Sequence, residues 1–82
     1  MYKVTFDKNA KRILKKLKKD EQKKILSKIA NLQENPKFGK RLSGNLHGLW
    51  KLRFDKYRIF YQIIEDKLIV IVLNIQHRKN IY

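Results

Sequence analysis

An α+β fold is predicted, an antiparallel twisted sheet of about four strands with an N-terminal helical hairpin on one face, in the order β-α-α-β-β-β. Three observations predict it. Apolar residues recur at helical spacing from residue 10 to residue 32, and the period falls to two from residue 49 onward. The 82 residues also include only three Gly and one Pro to interrupt either pattern. A chain this short is read as one domain, 1–82, with a thin core, because small domains bury only about 60% of the surface their unfolded chain exposes.

Tyr2 to Phe6 alternates, with Tyr2, Val4 and Phe6 on one side, and reads as a short strand. Asp7 then caps a helix. Ala10, Ile13, Leu14 and Leu17 line one face of that helix, while Lys8, Lys11, Arg12, Lys15, Lys16, Lys18 and Lys19 cover the rest. Asp20 opens a second helix with the stripe Ile25, Leu26, Ile29, Ala30 and Leu32, ended by Asn35-Pro36 because the residue before proline is pushed out of the helical region. The short break at Lys19-Asp20 makes the two helices a hairpin.

Phe38 to Gly48 holds all three glycines and reads as an irregular connection. Three strands follow at Leu49 to Phe54, Tyr57 to Ile64 and Lys67 to Gln76, joined by hairpin turns at Asp55-Lys56 and Glu65-Asp66. Leu68 to Leu73 is continuously apolar, which places the last strand in the sheet interior, covered on both faces.

With a two-residue turn at Asp55-Lys56, residues 54 and 57, 53 and 58, 52 and 59, 51 and 60, and 50 and 61 are cross-strand pairs. One face then holds Trp50, Leu52, Phe54, Tyr57, Ile59 and Tyr61, a core face. The other holds Lys51, Arg53, Arg58, Phe60 and Gln62, with Arg53 directly opposite Arg58. Like charges in that position are destabilising, so an anionic ligand is the expected reason for the pair. Two arginines splayed into water are the plainer alternative. A last strand that runs straight would put its odd positions, up to His77, on this same face, with Arg78 and Tyr82 just beyond.

The balance of 21 Lys plus Arg against 7 Asp plus Glu, net +14, calls for a polyanionic partner. Nucleic acid, an acidic protein and an anionic membrane all qualify on charge, and a merely solvated lysine face is the bland alternative. Residues 1 to 41 carry a net +10 and residues 42 to 82 a net +4. The absence of cysteine excludes disulfides, thiolate metal sites and cysteine nucleophiles. No segment is long and apolar enough to span a bilayer, and the N-terminus lacks signal-peptide character, so a soluble, cytoplasmic protein is expected.

Metal catalysis is not expected, because Asp7, Asp20, Glu21, Glu65 and Asp66 fall at helix starts or a turn and His47 and His77 stand thirty residues apart. No Walker pattern or serine elbow is present. What remains is a cationic and phenolic set: Lys51, Arg53, Arg58, His77, Arg78 and Tyr82. Such a set suits RNA cleavage without metal or other cofactor. RNA carries its own 2′-hydroxyl nucleophile, so the protein need only remove that proton, neutralise the charge growing on the phosphate and protonate the departing 5′-oxygen. Neighbouring cations lower the pKa of a lysine or tyrosine and bring a general base within reach of neutral pH.

Asn35-Pro36, Gly39-Lys40, Leu42, Gly44, Leu49-Trp50-Lys51-Leu52-Arg53, Tyr57-Arg58-Ile59-Phe60-Tyr61, His77-Arg78 and Tyr82 occur in an order that resembles the RelE/ParE superfamily of toxins from toxin–antitoxin pairs. The likeness spans essentially the whole chain. It implies a RelE-like endoribonuclease that cuts mRNA in the ribosomal A site by 2′-hydroxyl attack, contacting rRNA and neutralised by an acidic RelB-like antitoxin. By position it makes Lys51 and Arg53 a candidate base and its neighbour. Arg58 becomes the transition-state arginine, Arg78 a second phosphate contact, Tyr82 the residue that orients the base, and His77 a possible acid or base. Lys15, Lys19, Lys23, Lys40 and Arg41 are the candidates for wider phosphate contacts. The ParE branch, which shares the fold but poisons DNA gyrase, lacks most of this basic set; ParE-like inhibition and non-catalytic RNA binding are the alternatives.

Overall fold

The structure is a computed structural model that describes residues 1–46 and 48–77. Its strands are β1 (Lys3–Phe6), β2 (Lys40–Arg41), β3 (Trp50–Phe54), β4 (Tyr57–Ile64) and β5 (Ile69–His77), and its helices are α1 (Lys8–Lys16) and α2 (Lys19–Ala30). The α+β class and the helical hairpin are as expected from sequence. Two details of the sheet differ. It has five strands in the order β1-β5-β4-β3-β2, and it is mixed, because β1 runs parallel to β5. Alternation within β1 carries no information about direction. Its partner lies more than sixty residues away, beyond both helices, so no hairpin ties the two strands antiparallel. β2 escapes notice because two residues cannot display a period.

Asp7 caps α1, its Oδ1 accepting from the Ala10 N–H at 2.9 Å. Ala10, fully buried, lets the first turn of α1 sit close on the sheet. Leu17 and Lys18, both extended, form the break between the helices, two residues earlier than expected. From α2 the core receives Ile25 and Ile29, and from the following 3₁₀ turn Leu32; Leu26, expected in the stripe, is 41% exposed, and Ala30 is exposed too. Against them the sheet presents Leu52, Tyr57, Ile59, Tyr61, Val70, Val72 and Ile75. Each such aliphatic burial contributes about 1.5–3 kcal/mol.

The β3–β4 register is the one expected, residue for residue, from Trp50 opposite Tyr61 to Phe54 opposite Tyr57. Asp55 supplies the left-handed conformation (φ 55°) that a tight two-residue turn needs. The next connection is looser. Glu65–Lys67 form a 3₁₀ turn closed by Leu68 at φ 54°, in place of a two-residue hairpin turn. Leucine rarely adopts that conformation, so the sequence gives no sign of it. Here the Lys3 N–H donates to the Leu68 carbonyl at 2.9 Å and ties the turn to β1.

β5 holds the larger departure. Phe60 pairs with Asn74 but Tyr61 pairs with Val72, so Leu73 is an extra, bulged residue. Before the bulge the even residues Val70 and Val72 face the core; after it the odd residue Ile75 does. β5 is an interior strand only along Ile69 to Val72, where β1 and β4 flank it. Its outward residues Ile69 and Ile71 are half-buried, so the helices cover one face of the sheet and not both.

Candidate functional site

The uncovered face of the sheet collects cations at one end. Register places Lys40 opposite Lys51 across β2–β3 and Arg53 opposite Arg58 across β3–β4, all on the side away from the helices. Directly opposed antiparallel residues stand about 4.5–5.5 Å apart at Cα, so these four charges crowd into a small area. Lys51 and Arg58 are half-buried, Lys40 and Arg53 exposed.

Crowding alters the chemistry of one group. The Lys51 amine is held below the ordinary lysine value of 10.5, first by burial and then by the positive charges of Arg58, Arg53 and Lys40. Arg58 Nε is shielded from solvent and has no hydrogen-bond partner among the described residues. A shielded guanidinium N–H without an acceptor is costly, and a phosphate oxygen would satisfy it. Replacing Arg53 with Gln removes the like-charge opposition, so the variant should unfold at a temperature a few degrees higher at low salt. The gain, of order 0.5 kcal/mol, should shrink in 0.5 M salt as screening replaces it. Thermal unfolding at two salt concentrations checks this.

The site is held from below by Tyr61. Its buried hydroxyl donates to the Pro36 carbonyl at 2.7 Å and accepts from the Gly39 N–H at 3.0 Å, and burial pushes its pKa up. That clasp fixes the 3₁₀ turn Pro36–Phe38 and lays β2 against Lys51. No side chain fits at Gly39: a Cβ there would meet the Lys51 carbonyl oxygen at 2.6 Å.

Other expected site residues fall elsewhere. The bulge at Leu73 turns His77 to the side of Tyr57, its register partner, and the two rings meet edge to face at 5.2 Å. The expectation that His77 shares the face of Arg58 is thereby corrected, since one extra residue inverts every later side chain. Arg78 and Tyr82 lie outside the described residues, as does His47. Lys15, Lys19 and Lys23 are exposed on the helices, in the layer opposite the cationic end of the sheet, so they do not join Lys51. Lys15 instead stands among Lys8, Lys11, Arg12 and Lys16 on α1. Arg41 pairs with Trp50 rather than with Lys51. Among the described residues there is no group of three or more His, Cys, Asp or Glu able to hold a metal ion, and no helix is long and apolar enough to cross a membrane.

Comparison with known proteins adds four findings. Residues 2–82 match the family described as ParE toxin of the type II toxin–antitoxin system, parDE. A relative from Methanocaldococcus jannaschii that carries the toxin name RelE4 is 30% identical over all of this chain and 92% of its own length. A chain of the toxin–antitoxin complex RelBE2 from Mycobacterium tuberculosis superposes with a TM-score of 0.87 at 30% identity, covering 94% of this chain and 98% of that one. The archaeal RelE–RelB complex from Pyrococcus horikoshii OT3 shares the fold at a TM-score of 0.78 and 22% identity, over 96% and 97% of the two chains.

Proposed function

The chain belongs to the RelE/ParE superfamily of type II toxin–antitoxin toxins, and from that membership we propose that it is a ribosome-dependent mRNA endonuclease that arrests translation and is neutralised by an acidic antitoxin. One observation carries the reading: Lys40, Lys51, Arg53 and Arg58 converge on an uncovered sheet face, and Lys51 among them has a lowered pKa. A neutral Lys51 amine takes the proton from the ribose 2′-hydroxyl. The oxygen attacks the adjacent phosphorus, the bond to the 5′-oxygen breaks and that oxygen takes a proton from water, leaving a 2′,3′-cyclic phosphate and a 5′-hydroxyl. Arg53 and Arg58 neutralise the phosphate as its charge grows, Arg58 through the N–H that lacks an acceptor among the described residues. Arg78 assists the leaving oxygen and Tyr82 orients the base, two roles that rest on the family likeness alone. DNA lacks the 2′-hydroxyl and is not a substrate. A partner follows from the relatives: the similar chains of RelBE2 and RelE–RelB are seen in complex with antitoxins, and a net charge of +14 favours an acidic one.

The family model's ParE name supports a second reading, inhibition of DNA gyrase through a protein–protein contact. Mapping mRNA 5′ ends after induction separates the two. Cuts phased with the reading frame are expected; intact mRNA accompanied by cleaved DNA and an SOS response would overturn the nuclease reading.

A further inference from the structure

β2 is too short to cover β3. It pairs with Trp50 and Lys51 only, and beyond it a hollow of about 360 Å³ opens at the sheet edge, lined by Lys28, Phe38, Lys40, Lys51 and Arg53 along with Gly39 and Leu52. That volume lies within the roughly 300–1,000 Å³ of small-ligand sites. Among the described residues, four cations and no acid line it. Phe38 is 48% exposed, unusual for a ring of that size, and its backbone is not free to turn it inward. The Tyr61 hydroxyl clasps the carbonyl of Pro36 and the N–H of Gly39 on either side of the turn, and the Phe38 N–H donates to the Asn35 carbonyl at 3.1 Å. Lys28 Nζ stands over the Phe38 ring, 5.0 Å from its centroid, and over that of Phe54 at 5.8 Å, so the ammonium is held against one face of Phe38 and a base would stack on the other. An exposed, immobilised aromatic beside converging cations matches the two needs of single-stranded nucleic acid, a stacking surface and a phosphate anchor.

We propose that this hollow is a nucleotide subsite, in which the Phe38 ring stacks an unpaired RNA base flanking the scissile link while Lys28 and Lys40 hold that nucleotide's phosphate. The inference rests on the RNA reading above and extends it to Phe38 and Lys28. An acidic peptide segment would meet the cations, but it would leave the ring without a flat partner.

The test uses the full chain and a 2′-O-methyl RNA tetranucleotide, which binds but cannot be cut by 2′-hydroxyl attack. Phe38→Leu keeps the apolar bulk and removes the aromatic face. It should weaken binding roughly 5- to 100-fold while leaving the slope of log K against log salt unchanged. Lys40→Ala should make that slope shallower by about 0.7, the loss of one phosphate contact. Adding the tetranucleotide to the Phe38→Trp variant should quench indole emission beyond any change in the parent, whose Trp50 is stacked on Tyr61. Affinity of Phe38→Leu equal to the parent's would overturn the subsite. So would indole emission in Phe38→Trp that responds to a glutamate-rich peptide and not to saturating tetranucleotide. Failure of the two readings is distinguishable. Stacking on Phe38 by a chain that leaves mRNA intact refutes cleavage and keeps the subsite; phased cuts by a chain indifferent to Phe38→Leu refute the subsite alone.

Discussion

Replacing Arg58 with Ala should slow mRNA cleavage on ribosomes by about 10²–10³-fold, the usual loss when one preorganised donor to a developing oxyanion is removed. Folding should not account for the loss. Arg58 lies half-buried on the uncovered face and opposes Arg53, so its removal relieves repulsion. The same variant should also move the pH dependence. On the proposed mechanism Lys51 works as the neutral amine, and its pKa is lowered by burial first and by Arg58 next. Without Arg58 one source of the lowering is gone, the pKa moves back towards 10.5, and the rising limb of the pH–rate profile shifts to higher pH. Arg58→Lys keeps the charge but loses the guanidinium fork, so it should be slow with its limb nearly in place. Cleavage by Arg58→Ala at the parent's rate and pH dependence would remove Arg58 from the mechanism.

Gly39→Ala should lower the unfolding free energy by about 1–3 kcal/mol, the range typical of overpacking a filled site. The cause is space rather than backbone conformation, since Gly39 has an ordinary φ of −78°. Its new methyl would stand 2.6 Å from both the Lys51 carbonyl oxygen and the Tyr61 hydroxyl. A carbonyl in a sheet cannot swing aside as a lysine tip can, so β2 must lift from β3. Lifting it breaks the Gly39 N–H bond to Tyr61 and leaves a buried hydroxyl with one partner fewer. It also withdraws Lys40 from Lys51, so the Lys51 pKa should rise slightly and cleavage near neutral pH should fall. Denaturant unfolding of the purified variant checks the first effect. A midpoint and slope matching the parent would show that the β2–β3 edge has slack that this geometry denies.

The fold was legible wherever one residue's position followed from its neighbours. Asp7 before the Ala10-Ile13-Leu14 stripe specified the helix start, and the two-residue gap at Asp55-Lys56 specified all five β3–β4 pairs. Because that register was right, the opposition of Arg53 to Arg58 was right as well. The bulge was not legible in the same way. Val70 and Val72 are apolar at even positions, Asn74 and Gln76 polar at even positions, and Ile75 apolar at an odd one. That switch of parity is the signal in the sequence, but the unbroken run from Leu68 to Leu73 hides where it occurs. His77 was therefore placed on the face opposite the one it occupies. Lys28 and Phe38 gave no signal, because ten residues and a proline turn separate two side chains whose contact exists only after β2 is clasped to Tyr61.

By itself the sequence determined the α+β class, the helical hairpin, the core face of the β3–β4 hairpin and the cations opposite it. Local periodicity and turn length suffice for each of these, since each depends on residues within a few positions of one another. Tertiary structure alone decided the parallel β1–β5 pair, the inversion of β5 at Leu73, the pairing of Lys40 with Lys51 and the hollow beside Phe38. Those depend on which distant backbones come within hydrogen-bonding reach, and that choice is made by the core as a whole.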